Sequence, residues 1–104
     1  MSGLRYGAMW ILRSSEPGGA LTFRLHTGAI KTLGRAPRAD FIVDAPLVSR
    51  LHCRITAADE ILEVVDLKST NGTFVNDARV QRGQLKNGDR LRLGRVELSV
   101  ERQA

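Results

Sequence analysis

The chain has 104 residues, 42% hydrophobic and 26% charged, an ordinary composition for a globular protein. This length suits one domain with one hydrophobic core and is short for two. No run of about 18 apolar residues occurs, so the sequence predicts no transmembrane helix. The net charge is +5, and 13 of the 16 cationic residues are arginine. Such a surface attracts anions, whether nucleic acid, acidic protein or phosphorylated peptide, and charge alone does not choose among them.

The sequence gives weaker indications of where the domain begins and of the cellular compartment in which the protein is found. Residues 1–8 are interpreted as a leader or a cloning remnant without ordered structure, followed by one domain at residues 9–104. The apolar run at residues 9–12 is too short for a signal-peptide core, and no small-residue cleavage site follows it. Cys53 is the only cysteine, so no intramolecular disulfide can form and a reducing compartment is favoured. We expect Cys53 to be a buried core thiol.

Short runs of apolar or alternating residues follow one another along the chain, separated by turn signals. They lie at residues 9–13, 21–25, 30–33, 41–43, 53–56, 61–65, 73–75, 90–93 and 96–100. The apolar–polar alternation, clearest at residues 21–25 and 90–93, is typical of half-buried strands. Pro17 and the glycines after it predict a loop behind the first run. Because no segment keeps a 3.6-residue apolar period over three turns, the pattern predicts an all-β sandwich or barrel.

Three polar clusters fall where the predicted strands end, which is where a rigid β scaffold places binding groups. They are Gly-Arg at residues 34–35, Ser-Arg-Leu-His at residues 49–52 and Ser-Thr-Asn-Gly-Thr at residues 69–73. Arg35 carries a permanent, planar cation that suits phosphate oxygens. Ser49, Ser69 and Thr70 offer hydroxyl donors, and Asn71 can pair with a peptide backbone. Each cluster alone has a plainer explanation as an exposed turn, whereas together they make an anion site with directional contacts.

In order and spacing, the clusters resemble the forkhead-associated (FHA) domain family. The family pattern is Gly-Arg, then Ser-x-x-His, then a segment like Ser-x-Asn-Gly-Thr-x-Val-Asn, then Leu-x-x-Gly-Asp and Leu-Gly. These segments stand here at residues 34–35, 49–52, 69–76, 85–89 and 93–94, and Asp66 also fits. The resemblance covers residues 9–101 and implies a two-sheet β-sandwich of about eleven strands with its binding loops at one end. One departure is Asn76-Asp77, where the family often has Asn-Gly; aspartate can take the left-handed conformation, at some cost relative to glycine.

The resemblance implies a partner protein carrying phosphothreonine, and it assigns the contacts residue by residue. Arg35, Ser49 and Thr70 correspond to the residues that contact the phosphate, and Arg50 to a position that can assist. Asn71 corresponds to the residue that holds the peptide main chain just after the phosphothreonine. No cofactor and no membrane partner are implied.

Other matched positions are implied to shape the loops or select the peptide. His52 corresponds to a histidine that ties two binding loops together. Leu47 stands two residues before the binding-loop serine, where some family members select the third residue after the phosphothreonine, so we expect an apolar residue to be accepted there. The remaining loop-shaping positions are Gly34, Ser69 and Gly72.

The family tendency also suggests a signalling protein of the DNA-damage-response type inside the cell, in the nucleus. The Met9-Trp10 pair resembles the start of the nibrin FHA domain, a match of two residues. These expectations come from the resemblance alone, since the sequence has no compact basic run that would act as a nuclear address.

Two other function classes remain open, and a third is poorly supported. With a pI of about 10.3 the domain could be a basic-surface nucleic-acid binder, although five aromatic residues and no recognition-helix pattern disfavour it. It could also be a phosphate-independent interaction module on the same fold. Catalysis is disfavoured, because Cys53 and His52 would point to opposite faces of a strand, and the acidic residues lack metal-ligand spacing.

Overall fold

The computed structural model describes residues 7–14 and 20–104, and the described residues form eleven β-strands and no helix. The strands are β1 (Met9–Ser14), β2 (Leu21–His26), β3 (Ile30–Gly34), β4 (Phe41–Ile42), β5 (Cys53–Ala57), β6 (Leu62–Asp66), β7 (Thr73–Val75), β8 (Ala78–Val80), β9 (Arg82–Leu85), β10 (Arg90–Leu93) and β11 (Val96–Gln103). Residues 1–6 of the predicted leader (residues 1–8) and the predicted loop at residues 16–19 lie outside the described residues. Accordingly, the described chain has no helix long and apolar enough to cross a membrane.

The strands form two sheets, which confirms the predicted all-β sandwich. The six-stranded sheet has the order β2-β1-β11-β10-β7-β8, and the five-stranded sheet has the order β4-β3-β5-β6-β9. The strand pairs are antiparallel except for β3 with β4, which are parallel. Among the described strands, five neighbouring pairs are consecutive in the chain, whereas the pairs β1–β11, β7–β10, β3–β5 and β6–β9 join strands that are not.

The hydrophobic core lies between the two sheets and uses the alternating residues of both. Trp10 and Leu91 from the six-stranded sheet are fully buried, as are Leu33 and Ile55 from the five-stranded sheet. Burying one such aliphatic side chain contributes about 1.5–3 kcal/mol. The Trp10 indole N–H donates to the Ala58 carbonyl over 2.8 Å, so its polar atom is satisfied at the edge of the core.

Two details test smaller predictions from the sequence. Cys53 is fully buried, as predicted, and this burial, together with the nearby negative charge of Asp66, raises the pKa of its thiol. Ala8 was predicted to lie in the leader, but it is fully buried and belongs to the core. Its N–H donates to the Thr27 hydroxyl over 2.9 Å and its carbonyl accepts from the Thr27 N–H over 3.0 Å. The folded part therefore includes residue 8, which lies one residue before the predicted start of the domain at residue 9.

The hairpin between β7 and β8 explains the one departure from the family pattern. Asn76 and Asp77 have φ angles of 48° and 71°, so both adopt the left-handed conformation of a two-residue type I′ turn. Asn76 fixes the turn, because its Oδ1 accepts from the Arg90 N–H over 2.9 Å and its Nδ2 donates to Asp89 over 3.1 Å. Asp77 thus adopts the left-handed conformation for which glycine is the more usual residue at this position.

Three loops meet at one end of the sandwich. They are the β3–β4 loop (residues 35–40), the β4–β5 loop (residues 43–52) and the β6–β7 loop (residues 67–72). The Arg35 N–H donates to the Ser49 carbonyl over 2.9 Å, and the Leu67 N–H donates to the His52 carbonyl over 2.9 Å. Backbone hydrogen bonds therefore hold the β4–β5 loop between the other two.

Candidate functional site

Gly34 lets the first two loops pack backbone against backbone. A Cβ atom on residue 34 would lie 2.1 Å from the Arg50 carbonyl oxygen, far inside van der Waals contact. The adjoining Ala36 N–H donates to that same carbonyl over 3.0 Å. Because Gly34 does not have a positive φ, the reason for glycine here is the close approach of the two chains rather than a turn.

His52 joins the β4–β5 loop to the β6–β7 loop. Its ring is fully buried. The Ser49 N–H donates to Nδ1 over 3.0 Å, and Nε2 lies 2.8 Å from the Gly72 carbonyl oxygen. A carbonyl can only accept, so Nε2 carries the proton and Nδ1 does not. The neutral ring is therefore a two-ended tether between the loops, in keeping with the role that the resemblance implied.

Asp66 organises the β6–β7 loop from the end of β6. Its Oδ1 accepts from the hydroxyls of Ser69 and Thr73, each over 2.6 Å, and its Oδ2 accepts from the Ser69 N–H over 3.1 Å. The Ser69 oxygen in turn accepts from the Gly72 N–H over 2.9 Å. The sequence had placed Asp66 only as a match to the family pattern, and its part as the hub of this loop depends on contacts that spacing does not reveal.

Because of these hydrogen bonds, the stability of the folded protein depends on pH. Partial burial acts to raise the pKa of Asp66, but the hydrogen bonds from Ser69 and Thr73 outweigh it and leave the pKa below its ordinary value. A carboxylate whose pKa is lower when folded stabilises the protein above its unfolded pKa, near 4, and this stabilisation is lost as the pH falls through the folded pKa.

We therefore expect Asp66→Asn to lower the free energy of unfolding at pH 7 by about 1–3 kcal/mol, because the hydroxyls of Ser69 and Thr73 lose a charged acceptor and the Ser69 N–H would face an NH2 group in place of Oδ2. Its free energy of unfolding should also fall less than that of the wild type as the pH drops below about 4. Urea denaturation between pH 3 and pH 7 measures both effects. Asp59→Asn, which removes an equal charge from an exposed position outside the three loops, is the control. Equal pH profiles for Asp66→Asn and the wild type would show that Asp66 is not the hub.

The three loops border an open cavity of about 540 Å³. Its lining comprises Arg35, Asp44, Ala45, Pro46, Leu47, Val48, Ser49, Thr70 and Asn71. Five of the residues singled out from the sequence thus share one cavity. Arg50 is exposed and does not line it, and neither do the loop residues Gly34, His52, Ser69 and Gly72. Asp44 was not anticipated from the sequence, where it reads as an ordinary surface acid.

Hydrogen-bond donors without partners collect on this cavity. Arg35 is exposed, its Nε donates to the Val48 carbonyl over 3.0 Å, and it forms no ion pair with another described residue. The Ser49 oxygen accepts from the Thr70 N–H over 3.0 Å, which leaves the Ser49 O–H free to donate. A fixed guanidinium beside two hydroxyls is suited to an anion with several oxygens.

Leu47, which lines the cavity, has an unusual backbone conformation. Its φ is 73° and its side chain is 45% exposed. The Leu47 carbonyl accepts from Asn71 Nδ2 over 3.1 Å, and a Cβ atom on Gly94 would lie 2.8 Å from the same oxygen. A left-handed leucine costs about 1–2 kcal/mol and is retained only where its surroundings enforce it, often at functional sites. No local sequence signal predicts this conformation.

Among the described residues, no three His, Cys, Asp or Glu side chains cluster as metal ligands would.

Comparison with known proteins agrees with this geometry. The family model for the FHA domain matches residues 31–94, more than half of the chain. The chain is 40% identical over 85 residues to the FHA domain-containing protein FhaA of Mycobacterium tuberculosis, covering 82% of this chain and 16% of FhaA. It is 34% identical over 98 residues to the glycogen accumulation regulator GarA of the same organism, covering 94% of this chain and 60% of GarA.

A solved structure supports the same assignment. A chain from a structural and functional analysis of phosphothreonine-dependent FHA domain interactions matches with a TM-score of 0.76 and 37% identity. The match covers 90% of this chain and 94% of that one. The present chain spans only part of the length of FhaA and GarA, and the shared part contains the three loops. The fold, the ordered motifs and these matches together show that the chain belongs to the FHA domain family.

Proposed function

We propose that this domain is a signalling module that binds phosphothreonine-containing segments of partner proteins. The observation that carries the proposal is the Arg35 guanidinium, held in place by Val48 and without an acidic partner among the described residues, on one cavity with Ser49 and Thr70. A phosphoresidue brings about −1.5 to −2 charges and three acceptor oxygens at neutral pH. The phosphothreonine-dependent interactions reported for a similar FHA domain support the same ligand.

Within this proposal each loop residue has a distinct task. Arg35, Ser49 and Thr70 bind the phosphate directly, whereas Arg50 adds positive charge from outside the cavity. Asn71 uses Nδ2 to hold the Leu47 carbonyl, so its Oδ1 remains for a peptide N–H after the phosphothreonine. The proposed event is binding, with no chemical step.

Leu47 is the proposed selector of the third residue after the phosphothreonine. Its half-exposed apolar side chain lies beside Ala45 and Pro46 on the cavity, and such a surface accepts an aliphatic side chain better than a charged one. A peptide array that prefers aspartate at that position would contradict this assignment.

The competing proposals are nucleic-acid binding through the basic surface and peptide binding without phosphate. The free donors around Arg35 disfavour a phosphate-independent module, which would not need them together. They also lie on one cavity, which suits a single phosphate group better than a nucleic-acid backbone, whose many phosphates call for cations spread along a surface. The predicted nuclear location and DNA-damage role stay predictions, and the two relatives named above, which come from a bacterium, lend them no support.

The test is a titration of the domain with a phosphothreonine peptide library at physiological salt. Matched unphosphorylated and phosphoserine peptides and duplex DNA serve as controls. We expect micromolar binding to phosphothreonine peptides and weaker binding to phosphoserine, since one methyl group in a pocket is worth about 1–3 kcal/mol. Equal binding with and without the phosphate, or tighter binding to DNA, would reject the proposal.

A further inference from the structure

We propose that Arg79 is a second anion contact, which extends the site toward peptides that carry another acidic or phosphorylated residue near the phosphothreonine. This inference rests on the proposed function and adds a subsite to it. The ligand group is an anionic oxygen pair or triad, supplied by a carboxylate or by a second phosphate.

The geometry of the β7–β8 hairpin puts Arg79 against the binding loop. Arg79 on β8 pairs with Phe74 on β7. A Cβ atom on Gly72 would lie 2.8 Å from Arg79 Nε, 3.0 Å from its Cζ and 3.2 Å from the Phe74 ring. The guanidinium therefore rests on the backbone of Gly72, the residue that follows Asn71 in the chain. A peptide held by Thr70 and Asn71 is close enough for a flanking side chain to reach it.

The charge of Arg79 is not neutralised within the described part of the chain. It is exposed and forms no hydrogen bond or ion pair with another described residue. Four other described arginines have acidic partners: Arg13 with Glu101, Arg82 with Glu63, Arg90 with Asp77 and Glu97, and Arg102 with Glu60. Arg79 belongs to the larger group of described arginines without one, and its contact with Gly72 in the binding loop distinguishes it within that group. Arg79 thus keeps its cation available beside the proposed phosphopeptide site.

The surroundings of Arg79 strengthen the positive potential there. Across the sheet its neighbour is Phe74, and on the other side of Phe74 the Arg92 guanidinium stacks over the ring, 3.9 Å from its centre. The next residue in this row, Glu97, already pairs with Arg90 over 2.8 Å. Two arginines flanking one aromatic ring, with Glu97 already engaged by Arg90, favour an anionic ligand.

The position of Arg79 also lowers the entropic cost of binding an anion with this side chain. The side chain packs on the loop backbone beside Phe74 rather than extending freely into solvent, so less rotamer freedom remains to be lost on binding. Its planar fork suits a carboxylate or phosphate better than a lysine would. Glycine at position 72 keeps this space open, since a larger residue would collide with the guanidinium.

The experiment compares peptides around one phosphothreonine. A reference peptide with neutral flanking residues is matched by a series that places glutamate, or phosphoserine, at each of the neighbouring positions. We expect one or two positions to raise the affinity of the wild type, about three- to fivefold for glutamate and about tenfold for phosphoserine. The glutamate and phosphoserine arms show whether a carboxylate suffices or a second phosphate is required.

Arg79→Gln tests the residue, and Arg24→Gln is the charge-matched control. Arg24 is exposed on β2, and three strands of the sheet separate β2 from β7. We expect Arg79→Gln to remove the gain from the acidic position, to bind the reference peptide like the wild type, and to keep the wild-type melting temperature. Arg24→Gln should keep the gain.

The remaining outcomes are decisive against the inference. A gain that survives in Arg79→Gln, or one that falls equally in both variants, would mean that general surface charge causes it. A wild-type domain without any acidic preference would overturn the second contact while leaving the proposed function intact. If the wild type bound none of the phosphothreonine peptides, both the second contact and the proposed function would be overturned.

Discussion

An Arg35→Ala variant should fold like the wild type and lose measurable affinity for a phosphothreonine peptide. The guanidinium is the permanent cation on the cavity, and a charge-assisted hydrogen bond to a phosphate is worth about 1.5–3 kcal/mol. That loss corresponds to a roughly 10- to 150-fold weaker complex, which takes a micromolar ligand out of the range of an ordinary titration. The side chain is exposed, so the free energy of unfolding should change by less than about 1 kcal/mol.

Two further variants separate contact from charge. Arg38→Ala removes an equal charge three residues along the same loop from an exposed side chain that does not line the cavity, and should retain most of the affinity. Arg35→Lys keeps the charge but loses the planar fork and the Nε contact with Val48, and should fall between the wild type and Arg35→Ala. Near-wild-type affinity in a folded Arg35→Ala protein would refute the site.

The fold was predictable wherever one face of a strand is buried. The β5 and β10 segments alternate in sequence, and their burial alternates accordingly: Ile55 and Leu91 are fully buried, whereas Arg54 and Arg90 are exposed. By contrast, β8 and β9 were not predicted. Their residues are mostly exposed, so no apolar pattern marks them. β8 exists because the Asn76-Asp77 turn folds it back on β7, and β9 because it pairs with the edge of β6.

The candidate site was predictable in its residue types but not in its geometry. Short motifs at strand ends are enough to suggest an anion site, and the family order supplied the roles. The 2.1 Å approach at Gly34 and the left-handed Leu47 arise only when distant loops pack together. The three hydrogen bonds on Asp66 are local, but they form only once the β6–β7 loop has turned back toward β6. Likewise Arg79 lies seven residues after Gly72 in the chain, and only the tight hairpin brings it back to the loop.

His52→Ala should lower stability and binding together. The ring is fully buried and satisfies the Ser49 N–H and the Gly72 carbonyl. Removing it leaves two polar groups without partners and opens a cavity, which should cost about 3–5 kcal/mol. Since a small domain has only about 5–15 kcal/mol of total stability, urea denaturation is best performed at low temperature. Binding at a temperature where the variant is folded should also weaken, because Ser49 and the β6–β7 loop lose their common tether.

Two conservative variants resolve which end of the tether matters. In His52→Asn the amide oxygen can replace Nδ1 and accept from Ser49, whereas in His52→Gln the amide nitrogen can replace Nε2 and donate to Gly72. Each should therefore recover part of the stability lost in His52→Ala, and the one that recovers binding identifies the loop contact on which the phosphate site depends. A His52→Ala protein with the wild-type free energy of unfolding but no binding would instead place the imidazole in direct contact with the ligand.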